Sequence, residues 1–213
     1  MLKKTIVWDL DHTLMNTERE WFAPIIDKVA LRAGRDRAFV EEAFKRVNTS
    51  TFTFSNFFQE IGLSRERWRV LEDTFRDELA TRAQACLYQG IPILLWELRP
   101  QARQVLVTAG DPAWQRWKFE QLHCLKDIFA PEDRHFVPMD GSKADAVERY
   151  REAGDLTFVD DSVRWQREVH MRMPGVRHIR PIWPHTDGAS SHPDDDIEWT
   201  AVRTIDELRA ALD

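Results

Sequence analysis

The sequence predicts an α/β fold: a parallel sheet flanked by helices, with an all-helical segment inserted after the first strand. Three observations carry this expectation. Short apolar runs alternate with stretches of helical period through the second half of the chain, the pattern of strands joined by crossover helices. Three of those runs end abruptly in Asp or Thr, and in open α/β sheets ligands bind at the carboxyl ends of the strands. Residues 16–89 break the alternation, with helical periodicity throughout and no convincing strand.

In chain order, Thr5-Ile6-Val7-Trp8 reads as a buried strand, ending in Asp9-Leu10-Asp11-His12-Thr13. Thr17-Glu18-Arg19-Glu20 has the spacing of a capping box and opens the helical segment. Within it, Gly34 and Gly62 read as helix stops and Ser64 as a restart. The sheet then resumes with strands over 104–107, 135–137, 156–159 and 176–182. Helices over 112–125, 143–153 and 163–171 separate them. Asp111-Pro112 is an N-cap followed by proline at the first helical position. Ser142 to Asp145 and Thr204 to Glu207 again have capping-box spacing. The polar stretch 184–196 reads as a surface loop, and there is no internal repeat. Residues 1–15 and 90–213 are therefore expected to form the sheet domain, and 16–89 an inserted helical domain.

Composition narrows the function. The chain has 213 residues, 43% of them hydrophobic and 31% charged, with a net charge of −6. Such an acidic chain argues against general nucleic-acid binding. Cys86 and Cys124 give neither a disulfide framework nor a metal spacing. No apolar run approaches a membrane span. Met1-Leu2-Lys3-Lys4 has the basic character of a signal-peptide start, but the apolar run behind it stops at Trp8, so a cytoplasmic protein is expected. The nine tryptophans are scattered and read as packing residues.

Chemistry concentrates at the strand ends. Asp9 and Asp11 are two residues apart, so both leave the strand on the same side. One carboxylate there can attack while the other moves protons. The strand at 104–107 ends at Thr108, and that at 156–159 ends at Asp160-Asp161. If the strands are parallel neighbours, all these groups meet at one edge. His12 adjoins the aspartates, is expected on the opposite face, and is given no catalytic role.

With these four positions in this order, the chain resembles the haloacid dehalogenase (HAD) superfamily, over about residues 5–182. Asp9, Asp11 and Thr13 match its Asp-x-Asp-x-Thr motif. Thr108 matches the strand ending in Thr or Ser, Lys143 the lysine near a helix start, and Asp160 with Asp161 the strand ending in acids. The resemblance implies a Rossmann-like sheet with a helical cap and a Mg²⁺-dependent phosphatase acting on a small phosphomonoester. Asp9 would be the nucleophile that forms an aspartyl phosphate, and Asp11 the acid and then the base. Thr108 and Ala109 would bind the phosphoryl group, and Lys143 would neutralise it and Asp9. Mg²⁺ would be held by Asp9, the backbone of Asp11 and Asp161, with Asp160 in or beside its shell. Dehalogenating and phosphonate-cleaving members lack an aspartate at the place of Asp11, which points to phosphatase or phosphotransferase chemistry. A sugar-phosphate mutase is the first alternative, and a catalytically idle binding protein the second.

The chain departs from the family at two points. Trp165 and Gln166 stand where a further acid is often found, and Lys143 is followed by Ala144 rather than proline. Lys118, mid-helix in Trp117-Lys118-Phe119, is the rival for the role of Lys143, and reads as a packed or solvated residue. Arg46, Thr49, Ser50, Phe52, Phe54 and Phe58 are candidates to line the underside of the cap, with Arg46 as a substrate contact. The equal alternative makes the aromatics cap core and Arg46 an exposed helix residue. Thr17 and Glu18 are hinge or rim candidates. His185, Asp187, His192 and Asp194 to Asp196 could form a second metal site, but a solvated loop is the ordinary reading. Arg65, Arg67 and Arg69 read as a salt-bridged helix face. Oligomeric state is not legible.

Overall fold

The structure is a computed structural model, and it describes residues 4–17, 23–48, 52–184 and 197–213. Thr49, Ser50, Glu18 and the histidines and aspartates of the 185–196 loop lie outside them.

Strand β1 (Lys4–Trp8) is followed by the helices α1 (Ala23–Ala33), α2 (Arg37–Asn48), α3 (Phe54–Glu60) and α4 (Arg65–Arg82). The chain continues with α5 (Ile91–Leu98), β2 (Ala102–Ala109), α6 (Pro112–Glu120), α7 (His123–Lys126), β3 (Arg134–Val137) and α8 (Lys143–Glu148). It ends with β4 (Asp155–Val159), α9 (Val163–Arg172), β5 (Arg177–Pro181), β6 (Trp199–Val202) and α10 (Ile205–Leu212). The expected first, second, third, fourth and fifth strands correspond to β1 to β5. The helices expected over 112–125 and 143–153 are each shorter, ending in a separate turn of helix.

The strands form one six-stranded sheet in the order β3-β2-β1-β4-β5-β6. Every neighbouring pair is parallel. The chain winds outward from β1 through β2 to β3, then crosses back to β4 on the other side of β1. The order therefore reverses between β1 and β4, which is where doubly wound sheets open a crevice for ligands.

Both faces of the sheet are covered, as a parallel sheet requires. The alternation of β1 divides the core. Val7 joins Val105, Val107 and Phe158 in a cluster with Ala144 and Val147 of α8 and Trp165 and Val169 of α9. Ile6 and Trp8 face the other way, toward Leu94 and Leu95 of α5, Phe119 of α6 and Leu208 of α10. That second cluster runs on without a break into Phe54, Phe58, Phe75 and Leu79 of the helices between β1 and α5. No described helix is long and apolar enough to cross a membrane.

The helix starts obey local chemistry. Asp111 accepts from the backbone N–H of Trp114 (2.8 Å), Ser142 from that of Asp145 (3.1 Å) and Thr204 from that of Glu207 (3.1 Å). Each such cap contributes about 1 kcal/mol. The strand β6 escapes the sequence pattern because it is an edge strand whose two central residues, Thr200 and Ala201, are exposed. It carries no apolar run to reveal it.

Behind the strand ends lies a buried polar stitch. Gln166 of α9 donates to the carbonyls of Asp160 (2.7 Å) and Ile179 (2.9 Å), tying the end of β4 to β5. Its Oε1 lies 2.6 Å from His178 Nδ1. An amide oxygen only accepts, so Nδ1 carries the proton. Burial, with His170 beside it, pushes the His178 imidazole down to about 4 from the usual 6.5. The fold thus favours neutral His178, while the unfolded chain protonates at the ordinary value. This stability is present above pH 6.5 and is lost as pH falls toward 4. The loss is up to about 3 kcal/mol. Urea unfolding at pH 7 and pH 4 should therefore show a smaller acid loss in His178→Phe than in wild type.

Candidate active site

Asp9 is the first residue past β1, and its backbone N–H donates to the carbonyl of Val159 at 2.9 Å. Trp8 is in register with Leu106 of β2 and Val159 of β4. One residue further on, the chain delivers Asp9 and Asp160 side by side at the reversal of strand order. Asp161 follows. Carboxylate oxygens of Asp9, Asp160 and Asp161 all lie within 4.8 Å of one another. Thr13, buried in the turn after β1, fixes the third of them. Its hydroxyl donates to Asp161 Oδ1 (3.2 Å) and accepts from the Asp161 N–H (3.1 Å).

Like charges this close need an opposite charge. Lys143 supplies it from the first position of α8, placed there by the Ser142 cap. Its ammonium donates to Asp9 Oδ1 and Asp160 Oδ2, both at 2.7 Å. The Trp165 ring lies 5.5 Å from it. Lys143 is 1% exposed. Burial opposes its charge, but the two carboxylates outweigh that and raise its pKa above the ordinary lysine value. Asp160 is pushed well above the usual carboxylate range, by burial first and by its acidic neighbours, against the pull of Lys143. Burial and the charge of Asp9 push Asp161 up to about 7, with Lys143 opposing. Asp160 spends its other oxygen on the N–H of Ser162 (2.9 Å). One ammonium does not offset three carboxylates, and the upward push on Asp160 and Asp161 reflects that excess.

That donor set fits a small hard cation. Mg²⁺ takes oxygen ligands at about 2.1 Å in octahedral geometry, so its ligands lie at most about 4.2 Å apart. A slight contraction of the three carboxylates reaches that size.

Asp11 stands apart from this cluster. Lys118 of α6 contacts both its oxygens at 2.5 Å, Gln115 of α6 donates to Oδ2 at 3.0 Å, and Thr17 donates to Oδ1. Burial raises the Asp11 carboxyl, but Lys118 and these hydrogen bonds overcome it and hold the pKa at about 2. Gln115 also donates to the carbonyl of Ala109 at 2.8 Å. Gly110 makes room for it. Its φ is +154°, and a Cβ there would come within 2.5 Å of Gln115 Nε2. Any larger residue would expel that side chain.

Thr108 is fully buried in β2, two residues before Gly110. Its hydroxyl has no hydrogen-bond partner among the described residues. A buried hydroxyl left so is costly unless something else completes it.

The structure thus brings Asp9, Lys143, Asp160 and Asp161 together and sets Asp11 on a second cation, Lys118. The sequence reading favours Lys143 over Lys118, which it takes as an ordinary helix residue, meets Gln166 only as a departure from the family, and passes over Gln115. Their spacing on α6 and α9 carries no signal until the helices are placed. Arg46 is half exposed on α2 and pairs with Glu60 at 2.8 Å. Phe52, Phe54 and Phe58 are buried, and Thr17 is the donor to Asp11 described above.

No protein-family model matches the chain, and no curated protein matches it in sequence. Solved structures resemble it. A Burkholderia xenovorans protein described as a haloacid dehalogenase-like hydrolase superposes with a TM-score of 0.66 at 16% identity, over 85% of each chain. A Thermotoga maritima protein described as a β-phosphoglucomutase gives 0.63 at 17%, over 97% of each. A Bacillus subtilis protein described as a HAD-hydrolase, bound to magnesium, gives 0.62 at 16%, over 98% of each. At such identities the likeness is one of fold. The chain has the Rossmann-like fold of the haloacid dehalogenase-like proteins.

Two outcomes follow from this geometry. Mg²⁺ at a hundredfold excess over its Kd should stabilise the protein by about 2.7 kcal/mol, read as a rise in Tm, and Asp161→Asn should abolish the rise. Thr108→Val keeps the shape and removes the unpartnered hydroxyl, so unfolding free energy should hold or increase, by up to about 1 kcal/mol.

Proposed function

We propose that this protein is a HAD-superfamily phosphatase that hydrolyses a small phosphomonoester through an aspartyl phosphate on Asp9, with Mg²⁺ as cofactor. The observation that carries the reading is the acidic cluster at the strand reversal, where oxygens of Asp9, Asp160 and Asp161 lie within 4.8 Å of one another with a single buried ammonium among them. Asp9, Asp161 and the backbone carbonyl of Asp11 would hold the ion, with Asp160 beside them as counter-ion to Lys143. When bound, it supplies positive charge that lets an anionic phosphate approach an anionic nucleophile.

The chain's own residues do the rest. Thr108 gives the phosphoryl group the hydrogen bond its hydroxyl lacks in the protein. Lys143, and the N–H of Ala109 at the end of β2, would donate to the other phosphoryl oxygens. An Asp9 oxygen attacks phosphorus and forms the acyl phosphate, while the bond to the leaving oxygen breaks. Asp11 must enter this step in its protonated form, against the pull of Lys118 on its carboxylate, and gives that oxygen the proton, being left as carboxylate. Asp11 then takes a proton from water, whose oxygen attacks phosphorus. The Asp9–phosphorus bond breaks, inorganic phosphate leaves, and both carboxyls return to their starting forms. Positioning and electrostatics carry most of such a reaction.

We assign residues 1–15 and 90–213 to the catalytic core and 16–89 to a cap that excludes bulk water. A closed cap favours small soluble phosphates as partners, and neither nucleic acid nor membrane. We place the protein in the cytoplasm.

Phosphate release from p-nitrophenyl phosphate and a panel of phosphorylated metabolites tests the reading. Release should need Mg²⁺, stop with chelator, and be lost in Asp9→Asn. Thr108→Val should lower it while leaving the fold intact. A substrate that is isomerised without releasing phosphate would instead mark a mutase, the activity described for the Thermotoga neighbour.

A further inference from the structure

Asp11 is gripped from three sides by residues that the resemblance leaves unassigned. Lys118 and Gln115 are three apart on α6, so they project from one face of the helix. Thr17 comes from the chain just beyond the first motif. Among them they occupy both carboxylate oxygens.

Such an arrangement is not what packing alone would select. Lys118 is 2% exposed. A buried ammonium is tolerated only with a counter-ion, and an apolar residue of similar volume packs there at less cost. Helix α6 has ample apolar anchorage already. Trp114 stacks on Trp117 (centroids 4.9 Å) and packs on Phe54 (4.8 Å) and Phe52 (5.7 Å). The Arg76 guanidinium of α4 lies over Trp117 at 4.8 Å. Phe119 fills the core behind. The backbone is also adapted to the grip, since the bare Cα of Gly110 lets Gln115 through.

We propose that Lys118 is the positioning residue for Asp11. With Gln115 and Thr17 it fixes the side-chain rotamer of the proton carrier, and the aromatic anchorage of α6 makes that grip rigid. Among the described residues the ammonium of Lys118 pairs with Asp11, and it acts through that carboxylate. The inference rests on the reading of Asp11 as acid and base.

Two measurements on Lys118→Met test it, one with turnover and one without. A poor leaving group such as an alkoxide needs the acid, whereas p-nitrophenolate leaves nearly unaided. Losing the Lys118 charge by itself favours a protonated Asp11, so a fall in rate reads the loss of position: with Lys118→Met, kcat on an alkyl phosphate should fall on the order of 10²-fold and on p-nitrophenyl phosphate far less, and an unchanged or raised alkyl rate would overturn the proposal. KM should move little for either, and Lys118→Arg should restore most of the alkyl activity. Equal losses on both substrates would overturn the proposal and make Lys118 a structural residue. The crystal structure of Lys118→Met should show the Asp11 carboxylate turned away from α6. Asp11 still seated against Gln115 and Thr17 would overturn the proposal whatever the activity. If the carboxylate turns but wild type releases no phosphate from any substrate, the grip stands and the phosphatase reading falls. Should Lys118→Met not fold, Gln115→Leu removes one donor, keeps the ion pair, and is read by the same leaving-group comparison.

Discussion

One buried ammonium holds the site in the form described. Lys143 bridges Asp9 and Asp160, and so ties together the ends of β1 and β4 and the start of α8. Without it, three carboxylates within 4.8 Å in a buried crevice would be pushed further still toward their protonated forms, because burial and mutual repulsion both favour those. The dependence runs the other way as well. A lysine that is 1% exposed is affordable only beside those carboxylates. Removing either side leaves an uncompensated buried charge, so the fold of this edge and its chemistry rest on the same contacts.

Strand order gives those contacts their opportunity. Asp9 and Asp160 are far apart in sequence, yet β1 and β4 are neighbours, and the register sets Trp8 beside Val159. The next residue of each strand is the acid. Because the chain crosses back over β1 between β3 and β4, the connections leave β1 in opposite directions on its two sides, and such a reversal opens a crevice at the strand ends. The site is therefore a consequence of topology, with the local motifs supplying only the identities of the side chains.

This separation explains what the sequence disclosed. An apolar run that stops at an acid is a local pattern, so β1 with Asp9 and β4 with Asp160 and Asp161 could be read directly. Ser142 and Asp145 likewise mark the start of α8, and with it the place of Lys143. The Lys118–Asp11 pair spans 107 positions and has no local signature. A lysine on an amphipathic helix looks the same whether it faces solvent or a carboxylate. Gln166 was hidden for a related reason: at the place where the resembled family often carries an acid, it reads as a loss, and only the placed helix shows its two donations to the ends of β4 and β5. The edge strand β6 has exposed central residues and leaves no apolar trace.

The two aspartates of the first motif, two residues apart, are made chemically unlike by separate lysines. Asp9 shares Lys143 with Asp160 and faces the other carboxylates; Asp11 has Lys118 to itself and lies outside their cluster. Environments that pull neighbouring carboxyls apart are how one site obtains a nucleophile and a proton carrier from the same side chain. The exchange of a further acid for Gln166 belongs to the same balance. Another carboxylate near Asp161 would meet the same burial and repulsion that already push Asp160 and Asp161 upward. An uncharged amide at that place keeps β4 and β5 joined without adding to that repulsion.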